Sequence, residues 1–241
     1  MKLGMEIPKT HAEELSRLCD FDFAIAHRIV EDETYRDFFV GQREKGRTII
    51  LDNGFHERGN EAQPKHITMA HHIIEADTVI SPDRIDDQGF TLDHLKGTLD
   101  TFGVKTAAVI VGETMQERLD LLECYIEEYV PTICFPYRRN RNEWVAEFDT
   151  VRPGWDLGKS IHMLGMQTLG EAAWCATRFP KGTFDTSKPI KWGYKGLRLD
   201  NVKVTHGAWP QYDTFLDAPS MDPDQSLITL YNICLLRRAL V

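Results

Sequence analysis

The chain predicts an α/β fold, a (β/α)8 TIM-type barrel with room for irregular C-terminal units. Three observations predict it. Short apolar, β-branched runs alternate with longer amphipathic stretches, the pattern of parallel strands joined by helical crossovers. Seven or eight such units favour a closed barrel over an open sheet, and no glycine-rich dinucleotide fingerprint follows the first strand. The length, 241 residues, suits one such domain spanning 1–241.

The first strand is expected at Phe21-Asp22-Phe23-Ala24-Ile25-Ala26, the second at Arg47–Leu51 and the third at Asp77–Ile80. Thr106–Val111 is the strongest signal, and Pro131–Phe135 follows as the fifth. Ile161–Leu164 is the sixth, Gly182–Phe184 a short seventh and Val202–Thr205 an eighth. Helical periodicity covers Thr34 to Lys45, Pro64 to Glu75, Leu92 to Phe102, Met115 to Tyr129, Thr168 to Arg178 and Leu227 to Leu240. In Met115 to Tyr129 the apolar positions Leu119, Leu122, Ile126 and Tyr129 repeat at three and four, one face of a helix. Thr114 and Glu117 are placed to form a capping box at its start. The polar stretch from Arg138 to Lys159 reads as a long loop with an insertion, and loops of that length are often functional. There is no internal repeat, low-complexity segment or linker.

Hydrophobic residues make up 42% of the chain and charged residues 27%, ordinary values for a globular protein. No apolar run is long enough to cross a bilayer, and Met1 to Glu6 lacks the apolar stretch of a secretory signal. A cytoplasmic protein is expected, in a host cell's cytoplasm if it is viral, with no membrane partner. The five cysteines, Cys19, Cys124, Cys134, Cys175 and Cys234, are scattered and read as incidental thiols, not as a zinc or redox site.

A net charge of −9 argues against indiscriminate nucleic-acid binding, which depends on phosphate neutralisation. Two local basic stretches remain: Arg138-Arg139-Asn140-Arg141, and the segment from Arg178 to Lys203. Either could equally be a solvated face.

The chemistry of a barrel sits at the C-terminal ends of its strands. After the second predicted strand comes Asp52-Asn53-Gly54-Phe55-His56-Glu57, and after the third Ser81-Pro82-Asp83-Arg84. Gly112-Glu113 follows the fourth, Pro136-Tyr137-Arg138 the fifth, Gly165 the sixth and Asp185-Thr186-Ser187 the seventh. Carboxylates from several strands would converge on one mouth. Each also has a plainer reading, as a turn former or helix cap, for Asp52, Asp83 and Asp185 and all the more for Glu113. His71 and His72 are adjacent on a helix and point apart, so no metal site is expected there. His162, inside a strand, reads as a packed, hydrogen-bonded histidine.

These strand-end motifs resemble the tRNA-guanine transglycosylase superfamily and are most similar to its phage branch, the DNA-guanine transglycosylases. The resemblance runs from about Asp20 to Ile190. It rests on Ile50-Leu51-Asp52-Asn53-Gly54 with Glu57, on Ile161-His162-Met163-Leu164-Gly165, on Phe184-Asp185-Thr186-Ser187-Lys188-Pro189 and on His27 to Phe39. It implies guanine exchange in DNA for a 7-deazaguanine such as preQ0, with no diffusible cofactor. Asp185 matches the family's nucleophile, Asp52 its general acid/base, and Asp83 the residue that contacts the purine's Watson–Crick edge. Asn53, Gly54, Gly112 and Gly165 would line the pocket. Arg138, Arg139, Arg141, Lys181 and Lys188 would contact DNA phosphates.

The chain departs from the family at three points. Where an aromatic ring stacks on the base, His56 is the ungapped match, with Phe55 one earlier, and either ring could serve. The family's Gln-Gly after the fourth predicted strand is Val111-Gly112, with Glu113 as a possible substitute contact. The zinc motif of the tRNA enzymes and much of their C-terminal extension have no counterpart, so a barrel without the zinc subdomain is expected. The same exchange on tRNA, a non-catalytic base- or nucleic-acid-binding barrel, and a hydrolase with paired carboxylates stand as alternatives.

Overall fold

The structure is a computed structural model, and it describes residues 1–58, 63–84, 87–137, 141–165, 168–201 and 215–241, with His56 and Glu57 by backbone alone. Eight strands form one parallel sheet: β1 Lys2–Gly4, β2 Asp22–Ile25, β3 Ile49–Asp52, β4 Thr78–Ile80, β5 Thr106–Val109, β6 Thr132–Phe135, β7 Ser160–Met163 and β8 Thr183–Asp185. The order is β1-β8-β7-β6-β5-β4-β3-β2. Each strand from β2 to β7 pairs with the next, and β8 pairs with β1, where Gly4 lies opposite Asp185.

That order bends the sheet into a barrel with one seam, between β1 and β2. A side chain bridges it. The Asp20 backbone N–H donates to the Leu3 carbonyl (2.7 Å), and the Leu3 N–H donates back to the Asp20 carboxylate (2.8 Å). Arg237, near the end of the C-terminal helix Pro223–Ala239, donates to the other carboxylate oxygen (3.0 Å). The carboxylate supplies the acceptor that a paired strand would otherwise supply, so the backbone donor at the seam is not left unsatisfied.

The predicted strands fall on β2 to β8, one place later than the sequence numbering. The displaced element is β1, which the sequence reading missed. It has three residues and no β-branched run, too little for periodicity to register. The strand expected at Val202–Thr205 lies outside the described residues. The Arg138–Lys159 stretch is not simply a loop, because Arg141–Val151 is an α-helix. Its buried face, Trp144, Val145 and Phe148, is short and diluted by Glu143, Glu147 and Asp149.

The other helices agree with their periodicity: Glu33–Glu44, Pro64–Ile74, Gln88–Phe102, Met115–Glu127 and Leu169–Arg178. The capping box is present, with the Thr114 hydroxyl accepting from the Glu117 N–H (3.2 Å) and the Glu117 carboxylate accepting from the Thr114 N–H (2.9 Å). Two apolar clusters hold the layers together. One fills the barrel and runs out under the later helices, through Phe135, Phe148, Trp155, Phe179 and Phe184. The other packs Ile49, Leu51 and Val79 against Phe39, Ile67 and Ile74. Among the described residues no helix is long and apolar enough to cross a membrane.

The seam yields a test. Asp20→Ala should lower the unfolding free energy by about 1–3 kcal/mol, the cost of a buried donor without a partner. Asp20→Asn, which still offers an oxygen to Leu3, should lose less. Denaturant melts of the two variants decide it, and wild-type stability in Asp20→Ala would show that the seam is held elsewhere.

Candidate active site

Four carboxyl groups from four strands share the C-terminal mouth. Asp185 ends β8 and Asp52 ends β3. Asp83 follows β4 by three residues, and Glu6 follows β1 by two. The three aspartates act together on the buried thiol of Cys134 in β6, whose pKa rises far above its ordinary value through burial and then through the charges of Asp83, Asp185 and Asp52.

Each carboxyl is aimed by its surroundings. Asp185 is 2% exposed. Its Oδ1 lies 3.3 Å from the Gly165 backbone N–H, which donates to it, and 3.2 Å from His162 Nε2. His162 reaches it from β7, with its ring stacked on Phe23 (centroids 5.9 Å apart) and Nδ1 2.7 Å from the Thr183 hydroxyl. It is packed and hydrogen-bonded through Nδ1, as expected, while its buried Nε2, though close to Asp185, makes no hydrogen bond among the described residues.

Asp52 accepts the Gly54 N–H (2.9 Å) in a tight turn. Gly54 has φ +75°, and a Cβ there would stand 2.6 Å from His27 Nδ1, so only glycine fits. Asn53 is buried, and its side chain is spent within the protein. Its amide donates to the Ser81 carbonyl and to Asp83 (both 2.8 Å), and its oxygen accepts the Phe55 N–H (2.8 Å). The expected substrate contact is thus a positioning residue that ties the end of β3 to the end of β4.

Burial dominates the titration of the cluster. It pushes Asp52 up to about 7; the Gly54 N–H opposes the rise, and the charges of Asp83 and Asp185 add to it. It pushes Asp83 up to about 6 against the Asn53 hydrogen bond. It pushes Glu6 up to about 8, against Lys191 and with the charges of Asp185 and Asp52. Carboxyls that exchange protons near neutrality are suited to general acid–base work.

Other expected site residues separate into those near the mouth and those elsewhere. The Gly112 carbonyl at the mouth is taken by Arg118, which donates to it from Nε and Nη2 (3.0 and 2.8 Å). Glu113 is exposed at the cap of the following helix, outside the buried cluster. The Phe55 ring is buried against Phe90 (centroids 5.3 Å), itself covered by Arg84 at 4.0 Å, so it presents no open stacking surface. The His56 side chain lies outside the described residues.

Two of the five expected phosphate contacts are corrected. Arg141 is 0% exposed. It donates to the Leu164 carbonyl (2.7 Å), the Phe135 carbonyl (3.3 Å), the Gly165 carbonyl and the Glu171 carboxylate (2.7 Å). No phosphate can reach it. Lys181 is exposed, but it precedes β8 and so lies at the opposite end of the barrel from Asp185, about 13 Å away at strand spacing. Lys188 stays near the mouth, its ammonium 3.2 Å from the Tyr137 hydroxyl, and burial lowers its pKa to about 8. Arg138 and Arg139 lie outside the described residues. Among the described residues no group of three His, Cys, Asp or Glu side chains could hold a metal ion.

Neither a family model nor a curated protein sequence matches the chain. Solved structures do. The chain is similar to a glycerol uptake operon antiterminator-related protein of Thermotoga maritima, at TM-score 0.51 and 13% identity, over 80% of this chain and 99% of that one. It is also similar to the dihydrodipicolinate synthase of Agrobacterium tumefaciens, at TM-score 0.53 and 10% identity, over 100% and 98% of the two chains. Likeness at this identity establishes the TIM-barrel fold and leaves the chemistry to the site.

Sequence reasoning found three of the four carboxyls. It missed Glu6 because it missed β1. It had no signal for Arg141 as a buried strut, since Arg138 to Arg141 reads as a charge run.

Two outcomes test this description. Arg141→Ala strands buried carbonyls and Glu171, and should cost about 3–5 kcal/mol in denaturant melts. It should leave the salt dependence of any nucleic-acid binding unchanged. For Asp52 the folded pKa of about 7 lies above the unfolded value of about 3.9. The folded state therefore holds a proton that the unfolded state has released, and it loses stability as pH rises toward 7. The stability gain of Asp52→Asn over wild type should grow from pH 4 to pH 7 and then level off. A gain independent of pH would sink the assignment.

Proposed function

We propose that this barrel exchanges guanine in DNA for a 7-deazaguanine such as preQ0, through a covalent intermediate on Asp185. The observation that carries the reading is the convergence of Asp52, Asp83 and Asp185 at the barrel mouth, Asp52 and Asp185 ending β3 and β8 and Asp83 tied to the end of β3 by Asn53. These are the three residues to which the transglycosylase resemblance gives roles, and they come from three separate strands.

The chemistry needs such a set. In the first displacement an Asp185 oxygen bonds to C1′ of the deoxyribose while the bond from C1′ to the guanine nitrogen breaks. The departing base keeps the electron pair and takes a proton from Asp52. The state between is oxocarbenium-like and is stabilised by the carboxylate on its face, as in retaining glycosidases. In the second displacement the incoming base attacks C1′, the ester to Asp185 breaks and Asp52 recovers a proton. Configuration is retained, and one carboxyl serves as acid and then base. A pKa near 7 suits Asp52 to both tasks. Asp83, held by Asn53, accepts from the N–H groups of guanine. The bond broken and the bond made are alike, so no energy source is required. To reach the buried cluster the nucleotide must leave the base stack, with Lys188, Arg138 and Arg139 as phosphate contacts.

The test is nucleoside mass spectrometry after incubation with guanine-containing DNA, or tRNA in parallel, and preQ0. A 7-deazaguanine deoxynucleoside is expected from DNA, and Asp185→Asn should reduce it by about a thousandfold or more. Product in tRNA alone would transfer the reading to tRNA. Guanine release without insertion would make the protein a hydrolase, and full activity in Asp185→Asn would end the role of Asp185 as nucleophile.

A further inference from the structure

Glu6 has no role in the reading above, yet it stands beside the candidate nucleophile. Gly4 of β1 lies opposite Asp185 of β8, and Glu6 is two residues further along the same extended chain. Its charged surroundings are Lys191, Asp185 and Asp52, and the Ser187 hydroxyl donates to its carboxyl. The buried Tyr35 hydroxyl also feels its charge. Its second oxygen, Oε2, is closed off from solvent and has no hydrogen-bond partner among the described residues. Leaving such an atom unsatisfied costs about 1–3 kcal/mol. Native proteins rarely leave one so without a ligand, water or ion to meet it.

We propose, building on the base-exchange reading, that Glu6 is a fourth ligand-facing group of the site and donates a hydrogen bond to a sugar oxygen of the nucleotide held at Asp185. The strand order places it on the sugar side. β1 adjoins β8, which carries the nucleophile, whereas Asp83 follows β4, three strands away from β1 across the seam. A base read by Asp83 and protonated by Asp52 puts its sugar toward β8 and β1. The group acts as a donor because it keeps its proton. Desolvation of its carboxyl, opposed by Lys191 and helped by the two aspartates, pushes it up to about 8. A protonated carboxyl offers one O–H, and its neighbours Asp185 and Asp52 need their own oxygens free for the reaction.

The experiment separates sugar from base. Exchange kinetics on DNA and calorimetric binding of free preQ0 are measured for wild type, Glu6→Gln and Glu6→Leu, with Asp83→Ala as control. Glu6→Leu should lower kcat/KM for exchange by about tenfold to a hundredfold, the worth of one buried hydrogen bond. Glu6→Gln, which keeps a donor, should lose less. Both should bind free preQ0 as wild type does, while Asp83→Ala should not. Undiminished exchange in Glu6→Leu, or parallel loss of preQ0 affinity, would each overturn the proposal while leaving base exchange intact. A wild-type protein that neither exchanges nor binds preQ0 would remove the base-exchange reading itself, and the sugar contact with it.

Discussion

Carboxylates repel one another, and burial makes each of them costly to ionise. The mouth of this barrel gathers Glu6, Asp52, Asp83 and Asp185 in spite of both effects. Their separation onto four strands lets each be held by its own local device. A glycine turn holds Asp52, the Asn53 amide holds Asp83, and the Gly165 N–H holds Asp185. The residual repulsion is met by proton uptake, so the cluster carries less charge at neutral pH than four carboxylates would. A site under this tension is primed to hand a proton to a ligand.

The opposite arc of the barrel balances the acidic one by different means. Here the ends of β6 and β7 are tied by the guanidinium of Arg141, which collects carbonyls from both strand ends and the carboxylate of Glu171. A planar group with several donors in a fixed fork is suited to such a knot. The peptide unit joining Leu164 to Gly165 takes part on both sides, its Leu164 carbonyl receiving Arg141 and its Gly165 N–H donating to Asp185. The buried cation thus bears on the candidate nucleophile through one peptide unit. The β1–β2 seam bears on Glu6 in the same indirect way, since Asp20 fixes Leu3 and so the strand from which Glu6 extends.

Much of the fold was legible in the sequence because strands and helices of ordinary length repeat their apolar residues at fixed intervals. Thr106–Val111 and the capped helix at Met115 needed nothing else. Asp52, Asp83 and Asp185 were legible as candidates because each ends or follows a recognisable strand. The elements that escaped were those in which local pattern is weak. β1 has three residues, and the Arg141–Val151 helix hides a short apolar face among charges.

By itself the sequence determined the alternation of strands and helices, hence the barrel, and the strand ends at which polar chemistry could gather. Only the tertiary structure decided which charged residues face the mouth. Arg141 and Lys188 look alike as cations in a basic stretch, yet one is a buried strut and the other stands beside Tyr137 near the opening. Glu6 looks like any residue near a chain start, yet closing the barrel brings it beside Asp185 from the far end of the sequence. The reason is physical: periodicity is a property of neighbours along the chain, whereas burial and charge proximity depend on which strands lie side by side.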